Sequence, residues 1–322
     1  MSCGSWRARH AALLVVLTFA LGGCVTLPPQ SARLAEHWPT DLPARVELAG
    51  VPFHAQREYE CGPAALAMVM DAAGLTADVN ELVRQVYVPA RRGSLQAEML
   101  AAPRRQGLLT AVLPDRIDDV LREVAAGTPV IVLQNYGLGT SDLWHYAVVI
   151  GHDAAAGEVI LRSGDRERLS LSWPVFEWLW QKGGHWAMVA VPPDRVPATT
   201  TQARHREATL ALARVAPDAA RTAYAAAVRH WPDSVAARVA YANALHEAHD
   251  HAGAAEQLIA AHERNPDSPL VLNNLAQTLS DLGRHAEALT LIERALAMTS
   301  PFTATMRETR ATIVERMGKP SP

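Results

Sequence analysis

The chain is poor in cysteine, in net charge and in long apolar runs, and each shortage excludes something. Three cysteines in 322 residues, Cys3, Cys24 and Cys61, cannot build a disulfide framework. A formal charge of -3 with 20% charged residues, and no basic stripe interleaved with aromatics, leaves no nucleic-acid footprint, so no nucleic acid is expected as a partner. No cysteine and histidine stand at a metal-ligand spacing, and neither a metal nor another cofactor is expected. The apolar stretch Ala11 to Leu21 is too short for a membrane span.

What is present begins at that stretch. Arg7, Arg9 and His10 precede it, which is the order of an export signal. Leu21-Gly22-Gly23-Cys24 resembles a lipobox, implying that residues 1–23 leave as a lipoprotein signal peptide and that Cys24 is lipidated on its thiol. An ordinary signal peptide or an uncleaved anchor helix would equally export the rest. Val25, not Asp, follows the cysteine, and by resemblance to lipoprotein sorting rules this favours the outer membrane. The expected location is therefore periplasm-facing, with the N-terminal lipid in the membrane; each buried methylene contributes roughly 0.8 kcal/mol. Cys3 departs with the signal and Cys24 is capped, so Cys61 remains as a free thiol. In an exported protein that is an oxidation liability, and its presence points to chemistry.

Composition divides the remainder in two. Residues 24–45, rich in Pro and polar side chains, read as a tether, and residues 196–200 as a linker that follows Pro192-Pro193. Between them, residues 46–195 mix two periods. Helices are expected over Pro63 to Ala73 with Gly74 as the stop, from the Asp78/Glu81 capping box toward Val88, and over Ile117 to Ala126. Short strands are expected at Pro129 to Gln134, Tyr146 to Ile150, Val159 to Arg162 and Trp186 to Val191. Helices first and an antiparallel sheet afterwards make an α+β domain.

Residues 201–320 repeat with a checkable period. Pro232 and Pro266 lie 34 residues apart, and the same shift aligns Ala208, Ala242 and Ala276; Ala220, Ala254 and Ala288; Tyr224, Leu258 and Ile292; and Ala227, Ala261 and Ala295. This pattern resembles about three tetratricopeptide repeats, against the alternative of a generic Ala-rich helical bundle. The first unit fits less well, with Arg204 and Glu207 where apolar residues are expected, and Ser300-Pro301 shifts the last closing proline by one. Such an all-α solenoid usually binds a peptide or protein partner and performs no chemistry.

Cys61 sits in Gln56-Arg57-Glu58-Tyr59-Glu60-Cys61-Gly62-Pro63, at the mouth of a helix whose unpaired N–H groups favour an anion. Glu58 and Glu60 oppose this if they point inward. A thiolate is the nucleophile, so an imidazole that stabilises it and later protonates the leaving amine would complete the site. His145, at the start of the strand-like Trp144-His145-Tyr146-Ala147-Val148-Val149, is the best candidate. The pair of motifs resembles the papain-like bacteriocin-processing (double-glycine) peptidases, family 39 of the cysteine peptidases, over about residues 46–195. The resemblance implies a papain-like fold, Cys61 as nucleophile, His145 as base and acid, and Gln56 in the oxyanion hole. It also implies an Asp-Pro after the next strand to orient the imidazole. Ser163 stands at that Asp position in Val159-Ile160-Leu161-Arg162-Ser163-Gly164-Asp165, and Asp165 would point to the same side if the strand continued. Either Asp165 or Ser163 could hold the ring.

Structural roles compete for each residue. Cys61 could be a small apolar filler and His145 a structural histidine, while His54, His152 and His185 read as structural. Trp173, Trp178, Trp180 and Trp186 read as core or groove-wall aromatics. The leading functional reading is a lipid-anchored cysteine peptidase acting on a peptide or protein substrate, with the repeats as docking site for substrate or partner. A peptidase-like binding module that has lost turnover is the alternative, motivated by the missing Asp-Pro; hydrolysis of another amide, including cell-wall peptides, would use the same residues.

Overall fold

A computed structural model describes residues 27–138 and 141–318. The expected signal segment, residues 1–23, and the expected lipidation site, Cys24, lie outside the described residues. Nine strands and thirteen helices are formed among the described residues: α1 (Pro29–Glu36), β1 (Arg45–Glu47), α2 (Cys61–Ala72), α3 (Val79–Val86), β2 (Tyr87–Val88), β3 (Gly93–Ser94), α4 (Gln96–Arg105), β4 (Leu109–Val112), α5 (Ile117–Ala125), β5 (Val130–Asn135), β6 (Trp144–Asp153), β7 (Glu158–Ser163), β8 (Arg166–Ser172), α6 (Trp173–Lys182) and β9 (Ala187–Val191), then α7 (Gln202–Ala213), α8 (Pro217–His230), α9 (Val235–Glu247), α10 (His251–Arg264), α11 (Pro269–Asp281), α12 (His285–Leu296) and α13 (Thr303–Met317).

Seven strands form one antiparallel sheet in the order β4-β9-β5-β6-β7-β8, with β1 also paired to β6. Strand β6 is the spine. β5 pairs with its first half from Asn135↔Trp144 to Val130↔Val149, and β1 takes over that edge from Gly151 to Asp153. Alternate side chains of a strand point to opposite faces, so the β-branched run Val130-Ile131-Val132-Leu133 feeds two cores. Ile131, Leu133, Tyr146, Val148 and Ile150 pack under α2, where Leu66, Met68 and Met70 are fully buried. Val130, Val132, Ala147, Val149 and Val189 pack on the other face against α5 and α6.

The α+β reading holds, with two boundaries drawn differently by the packing. Residues 29–45, expected as tether, dock on the domain: Leu34 and Leu42 enter the core, the Arg33 guanidinium pairs with Asp118, and the Ser31 hydroxyl donates to the Glu177 carboxylate. The expected linker is also fixed. Glu123, fully buried, accepts from the backbone N–H of Ala198 and Thr199 and from the Thr199 hydroxyl. Burial raises the Glu123 carboxyl above the usual range, and the Thr199 and Ala198 donors offset part of this. Ala208 and Leu212 of α7, with Ala220, Ala223 and Tyr224 of α8, join the core on the second face of the sheet. The first repeat thus shares its core with the sheet.

From α7 onward the chain forms three helix pairs and a last helix. Each Ala, Tyr, Leu and Ile aligned by the 34-residue shift is buried, from Ala208 to Ala295, while the closing Pro232 and Pro266 are exposed. The recurring Pro-Asp-Ser also has a local role. Ser234 and Ser268 accept from the backbone N–H of Ala237 and Val271 and so cap α9 and α11, which satisfies donors that a helix start leaves unpaired.

Candidate active site

Cys61 is the first residue of α2, two residues nearer the helix mouth than the expected start at Pro63. The helix begins there because Pro63 needs no amide partner in the first turn. Gly62 is required by packing: a Cβ at this position would lie 2.5 Å from the Ser94 hydroxyl and 2.7 Å from its Cβ. The β2–β3 hairpin is thereby pressed against the start of α2. Tyr146 pins it from the sheet side, its hydroxyl donating to the Ser94 carbonyl at 3.2 Å.

Cys61, Gln56 and His145 line a single groove of about 1070 Å³, together with Tyr59, Leu95, Leu133, Leu143 and Trp144. Gln56 is anchored by its backbone N–H on the Gly164 carbonyl at 3.1 Å, and its side-chain amide reaches the Tyr146 carbonyl at 3.4 Å. That second bond is long and easily released to another acceptor. Glu58 lies on the exposed rim and Glu60 is half-buried beside the helix start.

The thiol environment differs from expectation. Burial pushes the Cys61 thiol up, and hydrogen bonds from the backbone of Tyr146, Gly62 and Cys61 itself offset only part of that. Among the described residues no hydrogen bond joins the thiol to an imidazole. His145 is also neutral by burial, its pKa lowered to about 4. Both partners are therefore uncharged at neutral pH, and forming an ion pair requires movement or a bound substrate.

The His145 ring is held by Ser163, with Nε2 2.9 Å from its Oγ. Asp165 does not approach. Extending the register Val148↔Arg162 would set residue 165 opposite His145. The strand ends first: Gly164 takes φ +62° and Ser163 pairs with Arg166, so Asp165 occupies the hairpin turn, 89% exposed and 3.4 Å from the Arg166 guanidinium. The other three histidines hold the fold. His54 bonds Asp71 at 2.7 Å, His152 bonds the Pro43 carbonyl at 2.9 Å, and His185 lies edge-on to Trp180. Trp173 and Trp180 are core residues of α6, whereas Trp178 is exposed.

One cluster among the described residues has metal-ligand chemistry. His246, His251 and Asp281 bring ligating atoms within 4.8 Å of one another, in the repeats. Asp281 is already occupied there, accepting from His246 at 2.7 Å, from Arg316 at 2.5 Å and from Gln277. The cluster joins α9, α10 and α11, and Arg316 adds α13.

Tyr136 and Gln134 belong to neither motif, yet both stand beside the imidazole site. The Tyr136 ring stands edge-on to His145 at 5.7 Å, and its hydroxyl donates to Gln134 Oε1 at 3.1 Å. A signal was available: Gln134 is a polar residue directly after the apolar run Val130 to Leu133, and it is fully buried.

Residues 48–165 match the family described as Peptidase_C39 like, and residues 205–269 and 245–300 each match a tetratricopeptide repeat family. Among solved structures, the chain is similar to a C39-like peptidase from Bacillus anthracis, described as putative in its title (20% identity, TM-score 0.39, 46% of this chain and 98% of that one). It is also similar to the peptidase domain of Streptococcus ComA, described as a bi-functional ABC transporter involved in a quorum-sensing pathway (19% identity, TM-score 0.37, 44% of this chain and 98% of that one). Comparison with curated proteins gives no match.

Proposed function

We propose that this chain, which carries a C39-like peptidase domain followed by tetratricopeptide repeats, is a cysteine peptidase that cleaves peptide bonds in the bacterial envelope. The observation that carries the reading is the shared groove: a thiol at a helix start, an imidazole at a strand start and a releasable side-chain amide all face it. In the proposed reaction His145 takes the Sγ proton as Cys61 attacks the substrate carbonyl carbon. The resulting oxyanion is met by the Cys61 backbone N–H and the Gln56 amide, which leaves the Tyr146 carbonyl to do so. The imidazolium then protonates the departing amine, and His145 activates a water that hydrolyses the thioester. Ser163 orients the ring throughout.

The groove walls favour extended peptides with apolar side chains, because Tyr59, Leu95, Leu143 and Trp144 are each more than a third exposed along it. The repeats supply the docking site for substrate or partner. Lipidation at Cys24 would hold the enzyme on the periplasmic side of the membrane, with the outer membrane favoured. Two experiments test this. Hydrolysis of a fluorogenic peptide library by wild type and not by Cys61→Ala supports the enzyme; no turnover of any member, with an unreactive thiol, sinks it. Incorporation of an alkynyl fatty acid that is lost in Cys24→Ser tests the anchor.

A second reading has its own support. A thiol raised by burial, sharing a groove with a neutral imidazole that is held by a hydroxyl and by no carboxylate among the described residues, also suits a peptidase-like domain that binds peptides without cleaving them. Peptide binding by wild type with no product would favour it.

A further inference from the structure

We propose that Tyr136 and Gln134 are positioning residues of this site, closing a neutral hydrogen-bond relay that holds His145 in its Nε2–H tautomer. The proposal rests on the peptidase reading for its catalytic meaning, but its geometry stands apart from turnover.

Two hydrogen bonds, with a Tyr136–Ser163 side-chain interaction between them, run in one direction. Tyr136 donates to Gln134 Oε1 at 3.1 Å. With its own proton committed there, the Tyr136 oxygen is an acceptor, and the Ser163 hydroxyl is its hydrogen-bonding neighbour. A Ser163 proton committed to Tyr136 leaves Oγ as an acceptor for His145 Nε2, 2.9 Å away. The ring proton must then sit on Nε2, which leaves Nδ1 with its lone pair as the base. No carboxylate pairs with the ring among the described residues, so tautomer control falls to this relay.

The fold fixes each link. Gln134 and His145 are directly opposed on β5 and β6, and Ser163 lies one step along the neighbouring strand on the same face. Tyr136 follows β5, its backbone N–H bonding the Leu143 carbonyl at 2.9 Å, while its ring packs edge-on against the imidazole. Gln134 is fully buried, and its amide nitrogen has no hydrogen-bond partner among the described residues. An unpartnered buried donor costs stability, and here it accompanies an amide whose oxygen is turned to Tyr136. Reversing that amide would reverse every bond of the relay and put the proton on Nδ1.

The test uses the full chain and reads the tautomer directly. Nitrogen-15 spectra of the histidine rings, with His145→Ala for assignment, should show a single Nε2–H form for His145 in the wild type. Tyr136→Phe keeps the ring packing and removes the link; it should give a mixture of tautomers and slow alkylation of Cys61 about fivefold near neutral pH, the size of one neutral hydrogen bond. Ser163→Asp supplies a carboxylate acceptor, so in that background Tyr136→Phe should change neither quantity. Unchanged spectra in Tyr136→Phe, or an equal loss in the Ser163→Asp background, would overturn the relay. Absent turnover with an intact tautomer response would overturn the peptidase reading and leave the relay standing.

Discussion

The sheet domain and the repeats bury their helices by opposite means. In the first, α2 is enclosed on all sides, with every residue from Gly62 to Met70 buried among large aliphatic and thioether side chains. In the second, α8, α10 and α12 meet their neighbours through alanines, and each helix keeps one face wet. Contacts differ to match. The polar links of the groove join residues far apart in the chain, such as Gln56 to Tyr146 and Tyr146 to Ser94, whereas those between repeats join neighbours about one unit apart, such as Asn274 to Asn243. The groove that gathers the candidate catalytic groups forms where distant segments are forced together, whereas the repeats form where local units simply stack.

Four changes would break or sharpen this contrast, taken from the largest effect down. Cys61→Ala is expected to remove about 10⁴-fold or more of any peptide turnover while leaving the melting temperature within a degree or so of wild type, as the side chain is only half-buried. Activity assay and calorimetry together check this. Glu123→Ala removes the acceptor of three junction bonds and should destabilise the protein by about 3 kcal/mol. The expected signature is the splitting of one thermal transition into two as sheet domain and repeats lose their coupling.

The third is acidification. His145 in the groove and His205 in α7 both have pKa values lowered to about 4, chiefly by burial. Unfolding returns them to about 6.5, so the unfolded chain binds more protons between these values. Stability should be flat above pH 6.5 and fall as pH drops from there toward 4, in urea titrations at each pH. His205→Gln should flatten part of that slope. The smallest effect is expected at the repeat surface: Arg284→Ala breaks an exposed pair with Glu287 and should cost less than about 0.5 kcal/mol.

Legibility in the sequence follows the same division. The repeats were readable because a fixed period places identical small residues at every helix crossing, and burial falls on those residues. That Cys61, Gln56 and His145 share one groove was readable through their motifs, and α2, α3 and α5 were readable through apolar spacing and stops. The Asp78/Glu81 box is only half formed: Asp78 caps the Asn80 N–H, while Glu81 turns outward to Arg84 and Gln85. Strand β8 was hidden because Arg166-Glu167-Arg168 reads as a loop, although charge of this kind suits an edge strand. Helix α6 was hidden by its tryptophans, despite Pro174 near its start. The choice between Ser163 and Asp165 turned on a single backbone angle at Gly164, which no residue pattern states.

The core shared by the first repeat and the sheet has a mechanical consequence. Because Leu212 and Tyr224 are embedded beside Val189 and Val191, the first repeat is packed into the core of the sheet domain and does not hang from it by a free linker. Under the proposed function it would act as a jig fixed beside the groove that holds Cys61. A chain gripped on the repeats would reach Cys61 only after a set run of extended backbone, about 3.3 Å per residue, so the spacing between grip and cut would be measured in residues by the protein itself.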